Sequence, residues 1–173
     1  MTWQKPLHSA ISEGDISHLK VLLESHHHDI NETDNNAEIS PLMLAVLRGR
    51  RDMTELLLHH RADISHRDWR SNTAVTYAVL WNKPDVLKLL LKHGAARDAV
   101  NKDGLTPLML AVRYNFTFCV KQLLDFGASL TLRYPEGRTV MEEALEKKHF
   151  GIIKFITSEM SRRSKFAFVY YMA

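Results

Sequence analysis

Few side chains in this 173-residue sequence have the types and spacing that covalent or metal chemistry requires. The single cysteine, Cys119, falls on the apolar side of a predicted helix, where a thiol packs as a small hydrophobic group. Three adjacent histidines, His26-His27-His28, could bind a metal ion, but adjacent positions at a helix end point in different directions and no cysteine or carboxylate cluster completes the ligand set. The sequence also contains neither a phosphate-binding loop nor a nucleophile elbow. We therefore expect a protein that is not an enzyme and that uses no metal or cofactor.

Charge and composition narrow the classes of partner. Hydrophobic residues make up 45% and charged residues 25% of the chain, as in globular proteins. The net charge is only +3, and nucleic-acid binding requires a clustered basic face, so no nucleic acid is expected. We interpret the basic run Arg48-Gly49-Arg50-Arg51 as a solvated turn between helices, the alternatives being a localisation signal or a phosphate contact.

The apolar segments and the cysteine count predict the compartment. No signal peptide is apparent at the N-terminus, and no apolar run is long enough to span a bilayer, so no membrane partner is expected. One cysteine excludes an internal disulfide and suits a reducing environment. We expect a cytoplasmic, or else nuclear, monomer.

Five alanines at nearly constant spacing predict the elements that position the other side chains. They are 35, 33, 33 and 33 residues apart, at Ala10, Ala45, Ala78, Ala111 and Ala144. A period near 33 is the signature of a stacked repeat array, in which each unit buries its apolar face against its neighbours. Such proteins act through an extended surface that several units share.

The turn, N-cap and C-cap residues of each unit predict two short helices and a loop. In the fourth unit, Asp103-Gly104 favours a turn, Thr106 an N-cap, Pro107 the first helical position and Gly127 a C-cap. The first helix of each unit is predicted to stop at the same point, at Gly14, Gly49, Asn82, Asn115 and Lys148. Four of these five are residue types that accept a positive φ at low cost.

These residues resemble the ankyrin repeat. Its T-P-L-H-x-A signature is matched by Pro6-Leu7-His8-Ser9-Ala10 and by Thr106-Pro107-Leu108 with Ala111. The resemblance covers about residues 5–160 and implies an all-α solenoid of stacked helix-turn-helix units with short β-hairpin-like loops. It places an ankyrin-repeat domain at residues 1–160, with repeats at about 5–34, 35–68, 69–103, 104–134 and 135–160.

The tail, residues 161–173, lies outside any repeat. We interpret it as a helix extension or capping strand, or as the stub of a longer chain. The alternative is a short docking segment or a weak membrane contact.

Several residues depart from the family pattern. Only His8 keeps the signature histidine, and Arg61 replaces the C-cap glycine of the second repeat. The terminal repeats are expected to present polar outer faces, because nothing stacks on them. We assign these faces to Ser17, His18, Lys20 and Glu24 in the first repeat, and to Glu142, Glu143, Glu146, Lys147 and Lys148 in the fifth.

The resemblance also implies where a partner binds, namely at the ends of the first helices and at the loop tips. The helix-end positions in repeats two to four are Leu47, Arg48, Leu80, Trp81, Arg113 and Tyr114. The tip positions are Arg67, Trp69, Arg70, Asn72, Lys102 and Leu105. Trp, Tyr and Arg dominate binding energy when a partner desolvates them. The alternative for the two tryptophans is that they pack on one another or into the next repeat.

The expected function is therefore a protein–protein interaction module that uses the concave face and hairpin tips of repeats two to four. Its partner is expected to present an apolar and acidic contact surface. Two alternatives remain open. One is a small ankyrin protein resembling a kinase inhibitor, and the other is a substrate-recruiting or targeting domain of a larger enzyme, adaptor or effector.

Overall fold

The computed structural model describes residues 5–25, 27–34 and 36–171, and within these ranges it contains ten α-helices. In chain order they are α1 (Pro6–Glu13), α2 (Ile16–Glu24), α3 (Pro41–Leu47), α4 (Arg51–His59), α5 (Ala74–Leu80), α6 (Pro84–Lys92), α7 (Pro107–Arg113), α8 (Thr117–Asp125), α9 (Val140–Glu146) and α10 (Phe150–Tyr171). The odd-numbered helices pack on one another in sequence, and so do the even-numbered helices. The result is two helical layers, a first-helix layer and a second-helix layer. The stacked repeat array predicted from the alanine spacing, and the all-α solenoid that the ankyrin resemblance implies, are confirmed.

The first helices of repeats two to five begin at a hydroxyl N-cap, as the sequence predicts for Thr106. From the second repeat onward, a hydroxyl oxygen accepts a hydrogen bond from the N–H three residues later, at Ser40, Thr73, Thr106 and Thr139. Such caps satisfy a backbone donor that the helix itself cannot pair. In the fifth repeat the bond is reciprocal, because Glu142 accepts from the Thr139 N–H at 2.7 Å.

The signature histidine of the first repeat has a different role from the residues that replace it. Nε2 of buried His8 donates to the carbonyl oxygen of Ile39 at 2.9 Å and so joins the first repeat to the second. At the equivalent positions, Thr76, Met109 and Glu142 instead reach back to the N-cap of their own helix. Local capping in repeats three to five therefore takes the place of the histidine's link between repeats.

The repeated alanines are fully buried in all five units. They lie on the first helices, where each helix contacts the next along the stack. The second helices supply a matching apolar position at Leu57, Leu90, Leu123 and Ile156, also without exposed surface. Small residues on one layer and large ones on the other allow the two layers to interdigitate at native packing density.

The predicted stops of the first helices are confirmed. All five residues have a positive φ, from 48° at Asn82 to 79° at Gly14. Lys148, which has no intrinsic preference for this region, takes φ 57°. The turn between the two helices is thus the same in every repeat, whatever the residue type.

The residue that follows the C-cap of α4 is strained, which leads to a stability prediction. Arg61 has φ 63°, whereas glycine occupies the equivalent positions, Gly94 and Gly127, at φ 82° and 81°. A side chain in the left-handed region costs about 1–2 kcal/mol, partly offset by the greater freedom of glycine in the unfolded chain. We expect Arg61→Gly to raise the free energy of unfolding, measured in urea, by about 0.5–1 kcal/mol.

The reciprocal variant is the matched control for this prediction. A Cβ atom at Gly94 would meet nothing within 4 Å, so Gly94→Ala changes the backbone preference without a steric clash. It should lower the free energy of unfolding. Changes of the same sign in both variants would contradict the assignment of strain to Arg61.

One residue assigned to the polar outer face is in fact buried. Glu143 lies inside the stack, at the register position that Leu44 and Leu110 occupy in other repeats. Its carboxylate is surrounded by cations, with Arg138 Nη2 at 3.2 Å, Arg113 Nε at 3.5 Å and Lys147 Nζ at 3.9 Å. A buried charge is tolerated only when it is paired in this way. The expectation of an exposed Glu143 is wrong. Its carboxylate is buried, and the cations that compensate its charge come from the end of α7, from the loop before α9 and from the end of α9.

The last helix is the longest, at 22 residues, and it includes residues 161–171 of the tail. Residues 172 and 173 lie outside the described part of the chain. Among the described residues, no helix combines the length and the apolar character needed to cross a membrane.

Candidate protein-binding surface

Two large aromatic side chains occupy the same position in neighbouring repeats. Trp81 is the C-cap of α5 and Tyr114 the C-cap of α7, and these two helices are in contact. Each residue is 53% exposed. Arg48, the C-cap of α3, continues the row and is also exposed, with Nη2 donating to Ser12 Oγ at 3.4 Å. Packed helices are spaced about 8–10 Å apart, so the row extends over roughly 20 Å.

The side chains one position before this row, Leu47, Leu80 and Arg113, are partly buried. Leu47 and Leu80 are partly buried and pack against the core. Arg113 is also partly buried, since its guanidinium lies 4.9 Å from the ring centroid of Tyr134 and 3.5 Å from Glu143. These three side chains therefore support the row more than they extend it.

The loop tips contribute a second tryptophan. Trp69 is half exposed, and the guanidinium of Arg70 lies 5.5 Å from its ring centroid, within cation–π range. The same guanidinium donates to both carboxylate oxygens of Asp103, at 3.0 and 3.1 Å. The backbone N–H of exposed Lys102 donates to the Arg70 carbonyl at 2.9 Å. Trp69 is thus flanked by a cation whose charge is already paired.

Arg67 links two tips. Its Nη1 donates to the carbonyl oxygen of Ser71 at 3.2 Å and to that of Val100, in the next loop, at 2.9 Å. The loop before α5 and the loop before α7 are therefore joined by a side chain as well as by packing.

Two predicted tip residues do not face solvent. Asn72 and Leu105 are both buried. Each ends a loop that a backbone hydrogen bond closes: the N–H of Asp68 donates to the carbonyl oxygen of Asn72, and the N–H of Asn101 donates to that of Leu105. This closure turns the fifth residue of the loop inward, where Asn72 accepts from Asn101 Nδ2 at 3.1 Å. The expectation of exposed side chains at these two positions is wrong.

Exposed apolar residues also occur where the family positions did not indicate them. Phe118, at the start of α8, is 72% exposed, and Phe150, the first residue of α10, is 74% exposed. Leu145 is 55% exposed, although its equivalents in repeats two to four are fully buried by the following repeat. The sequence could have indicated that Phe118 is exposed. The equivalent positions in α4 and α6 are occupied by Asp52 and Asp85, and charged residues are normally exposed.

Cys119, the single cysteine, lies in surroundings that make its thiol unreactive. Burial raises the pKa of the Cys119 thiol to about 12, and its Sγ lies 3.6 Å from Asn82 Oδ1. A thiol with so high a pKa is a poor nucleophile at neutral pH. His26 of the histidine triplet lies outside the described residues. Among the described residues, no group of three or more His, Cys, Asp or Glu side chains could hold a metal ion.

The stacked helix pairs, the fixed turn between them and the tied loops define a helical repeat solenoid. The family model described as ankyrin repeats (3 copies) matches residues 7–101 and again residues 76–164. The chain belongs to the ankyrin-repeat family. A search of curated proteins found no match to the sequence. Ankyrin repeats are generally protein–protein interaction modules and are typically non-enzymatic.

Proposed function

We propose that this chain binds a partner protein through the concave face and loop tips of repeats two to four. One observation supports this most directly: Trp81 and Tyr114 stand at the same position of adjacent repeats, each with about half of its surface exposed. Leaving large aromatic groups in water costs free energy that a partner recovers by covering them. Aromatic side chains of this kind are typical energetic centres of interfaces.

Both aromatic side chains project from backbone that is already fixed. The Trp81 N–H donates to the Tyr77 carbonyl at 3.1 Å, and the Tyr114 N–H donates to the Leu110 carbonyl at 3.0 Å. A side chain on ordered backbone loses less conformational entropy on binding than one on a mobile loop. The pair is therefore suited to act as anchors.

The charges around the anchors favour an acidic partner. Arg48 and Lys102 are exposed near the helix ends and the tips. Complementary charge at the rim of an interface accelerates encounter and fixes register. The proposed partner presents apolar groups opposite the aromatic side chains and carboxylates opposite the cations. We further propose that the chain acts as a monomer in the cytoplasm or nucleus.

Trp81→Ala and Tyr114→Ala test the proposal. Each should weaken partner binding about thirty-fold, the effect of losing an interface anchor of roughly 2 kcal/mol. The partner is first captured from cell extract with the wild-type chain and identified by mass spectrometry. Its dissociation constant is then measured by calorimetry for each variant, alongside the thermal midpoint.

Val21→Ala is the matched control, because Val21 is an exposed apolar residue in the first repeat, away from the proposed surface. This variant should bind as the wild type does. Equal binding by the wild type and both aromatic variants would contradict the proposal. A loss of binding that merely follows a loss of thermal stability would also contradict it.

A further inference from the structure

Three lysines form a row on the second-helix layer. Lys88 in α6, Lys121 in α8 and Lys154 in α10 are 33 residues apart and all exposed. Because α6 packs on α8 and α8 on α10, their side chains emerge at intervals of about 10 Å. This layer is separate from the first-helix layer that contains the proposed protein-binding row.

Two protruding phenylalanines accompany this row. A Cβ atom at Gly151 would lie 3.8 Å from Thr117 Cγ2, so the first turns of α8 and α10 are in contact. Phe118 and Phe150 are each one residue away from this contact, and their α-carbons are at most about 15 Å apart. Phe118 is three residues from Lys121, and Phe150 is four from Lys154, so each pair shares one face of its helix. We call Phe118, Lys121, Phe150 and Lys154, together with Lys88, the Lys–Phe face.

The surroundings of this face include further basic and apolar groups. Lys148, in the turn before α10, and Met160, within α10, are both exposed. The acids nearby include Asp85, exposed in the first turn of α6 at the register position of Phe118, and Asp125, exposed at the end of α8. The three lysines of the face outnumber these two exposed carboxylates, and the carboxylate of Glu159 is ion-paired with Arg162 at 2.6 Å and Arg163 at 2.7 Å. Helix α10 then continues through residues 161–171.

We propose that the Lys–Phe face docks the protein on an anionic lipid surface. Lysines near a membrane are attracted to anionic headgroups, and aromatic side chains favour the interface between headgroups and acyl chains. Phe118 and Phe150, with about three quarters of their surface free, are projections that a soft lipid surface can receive.

Vesicle sedimentation tests this proposal with the full chain. The vesicles contain phosphatidylcholine alone, or roughly three parts phosphatidylcholine to one part phosphatidylserine as an anionic surface. The wild type should sediment with the anionic vesicles and should be released by salt, because screening weakens the attraction of the lysines. Phe118→Ala/Phe150→Ala should lower the partition coefficient about tenfold or more. Lys121→Glu/Lys154→Glu should abolish the preference for phosphatidylserine.

The first repeat provides the matched control. Lys20 is the register equivalent of Lys121, and Val21 is an exposed apolar neighbour, so Lys20→Glu/Val21→Ala changes charge and apolarity far from the Lys–Phe face. This variant should sediment as the wild type does. All the substituted side chains are exposed, and thermal unfolding verifies that each variant is folded.

Three results would overturn the proposal: no wild-type binding to anionic vesicles at low salt, equal binding by the wild type and both test variants, or binding to polyglutamate but not to vesicles. The last would identify an acidic polypeptide as the occupant of this face. None of these results bears on Trp81 or Tyr114, so the proposed protein-binding function is tested separately.

Discussion

Replacing Leu90 with alanine lowers the free energy of unfolding by about 2–5 kcal/mol. Leu90 has no exposed surface and lies on α6, which packs against α4 on one side and α8 on the other. Removing three carbons from such a site forfeits their transfer free energy and leaves a cavity that the rigid surroundings fill only in part. The loss is large because this helix belongs to the central repeat, whose two interfaces hold the halves of the array together.

Urea denaturation, followed by circular dichroism, measures the effect. Leu145→Ala is the matched control, since the same substitution at a residue that is 55% exposed should change the free energy by no more than about 0.5 kcal/mol. Equal losses in the two variants would contradict the assignment of Leu90 to the core. A lower m-value in Leu90→Ala would indicate that the array no longer unfolds as one unit.

Replacing Ala111 with phenylalanine destabilises the stack by about 3 kcal/mol, through overpacking. Ala111 is fully buried on α7, which contacts α5 and α9. A ring at this position has no free volume to enter, so it must displace one neighbouring first helix. We expect α9 and α10 to move away, because α9 has no further first helix packed beyond it in the described stack.

Hydrogen exchange of the native protein measures this second effect. Protection factors in α9 and α10 should fall more than those in α3 and α4, which keep all their neighbours. Ala96→Phe is the control, because Ala96 is exposed in the loop after α6 and accommodates a ring in solvent. A uniform fall in protection along the chain would argue against local displacement.

The starts and ends of the first helices could be predicted from the sequence, because they depend on residues close together in the chain. An N-cap depends on a hydroxyl and the N–H three residues later, and a helix stop depends on the φ preference of one residue. Thr106, Asn82 and Asn115 therefore behave as predicted. Even Lys148 follows the register, since packing on both sides of the turn outweighs its own preference.

The side-chain environments could not be predicted in the same way, because they depend on other repeats. Glu143 looks like a surface residue in its own repeat, and its burial depends on Arg113 from the preceding repeat and Arg138 from its own loop. Asn72 looks like a loop-tip residue until its contact with Asn101 is known. The ankyrin resemblance marks the ends of the first helices and the loop tips for binding, and Phe118 lies on a second helix, so the resemblance does not predict its exposure.

The link that Arg67 makes between two loops has a mechanical consequence. A solenoid bends by opening or closing the gaps between successive units, and the gap between the loop before α5 and the loop before α7 is bridged by Arg67, Arg70 and Asn101. Bending strain is therefore resisted at this joint by side-chain bonds as well as by helix packing. Trp81 and Tyr114 lie at the far ends of α5 and α7, the two helices that follow these joined loops. If both residues anchor a partner as proposed, the stiffened joint limits changes in the distance between them, and so restricts the spacing of the partner groups that can reach both.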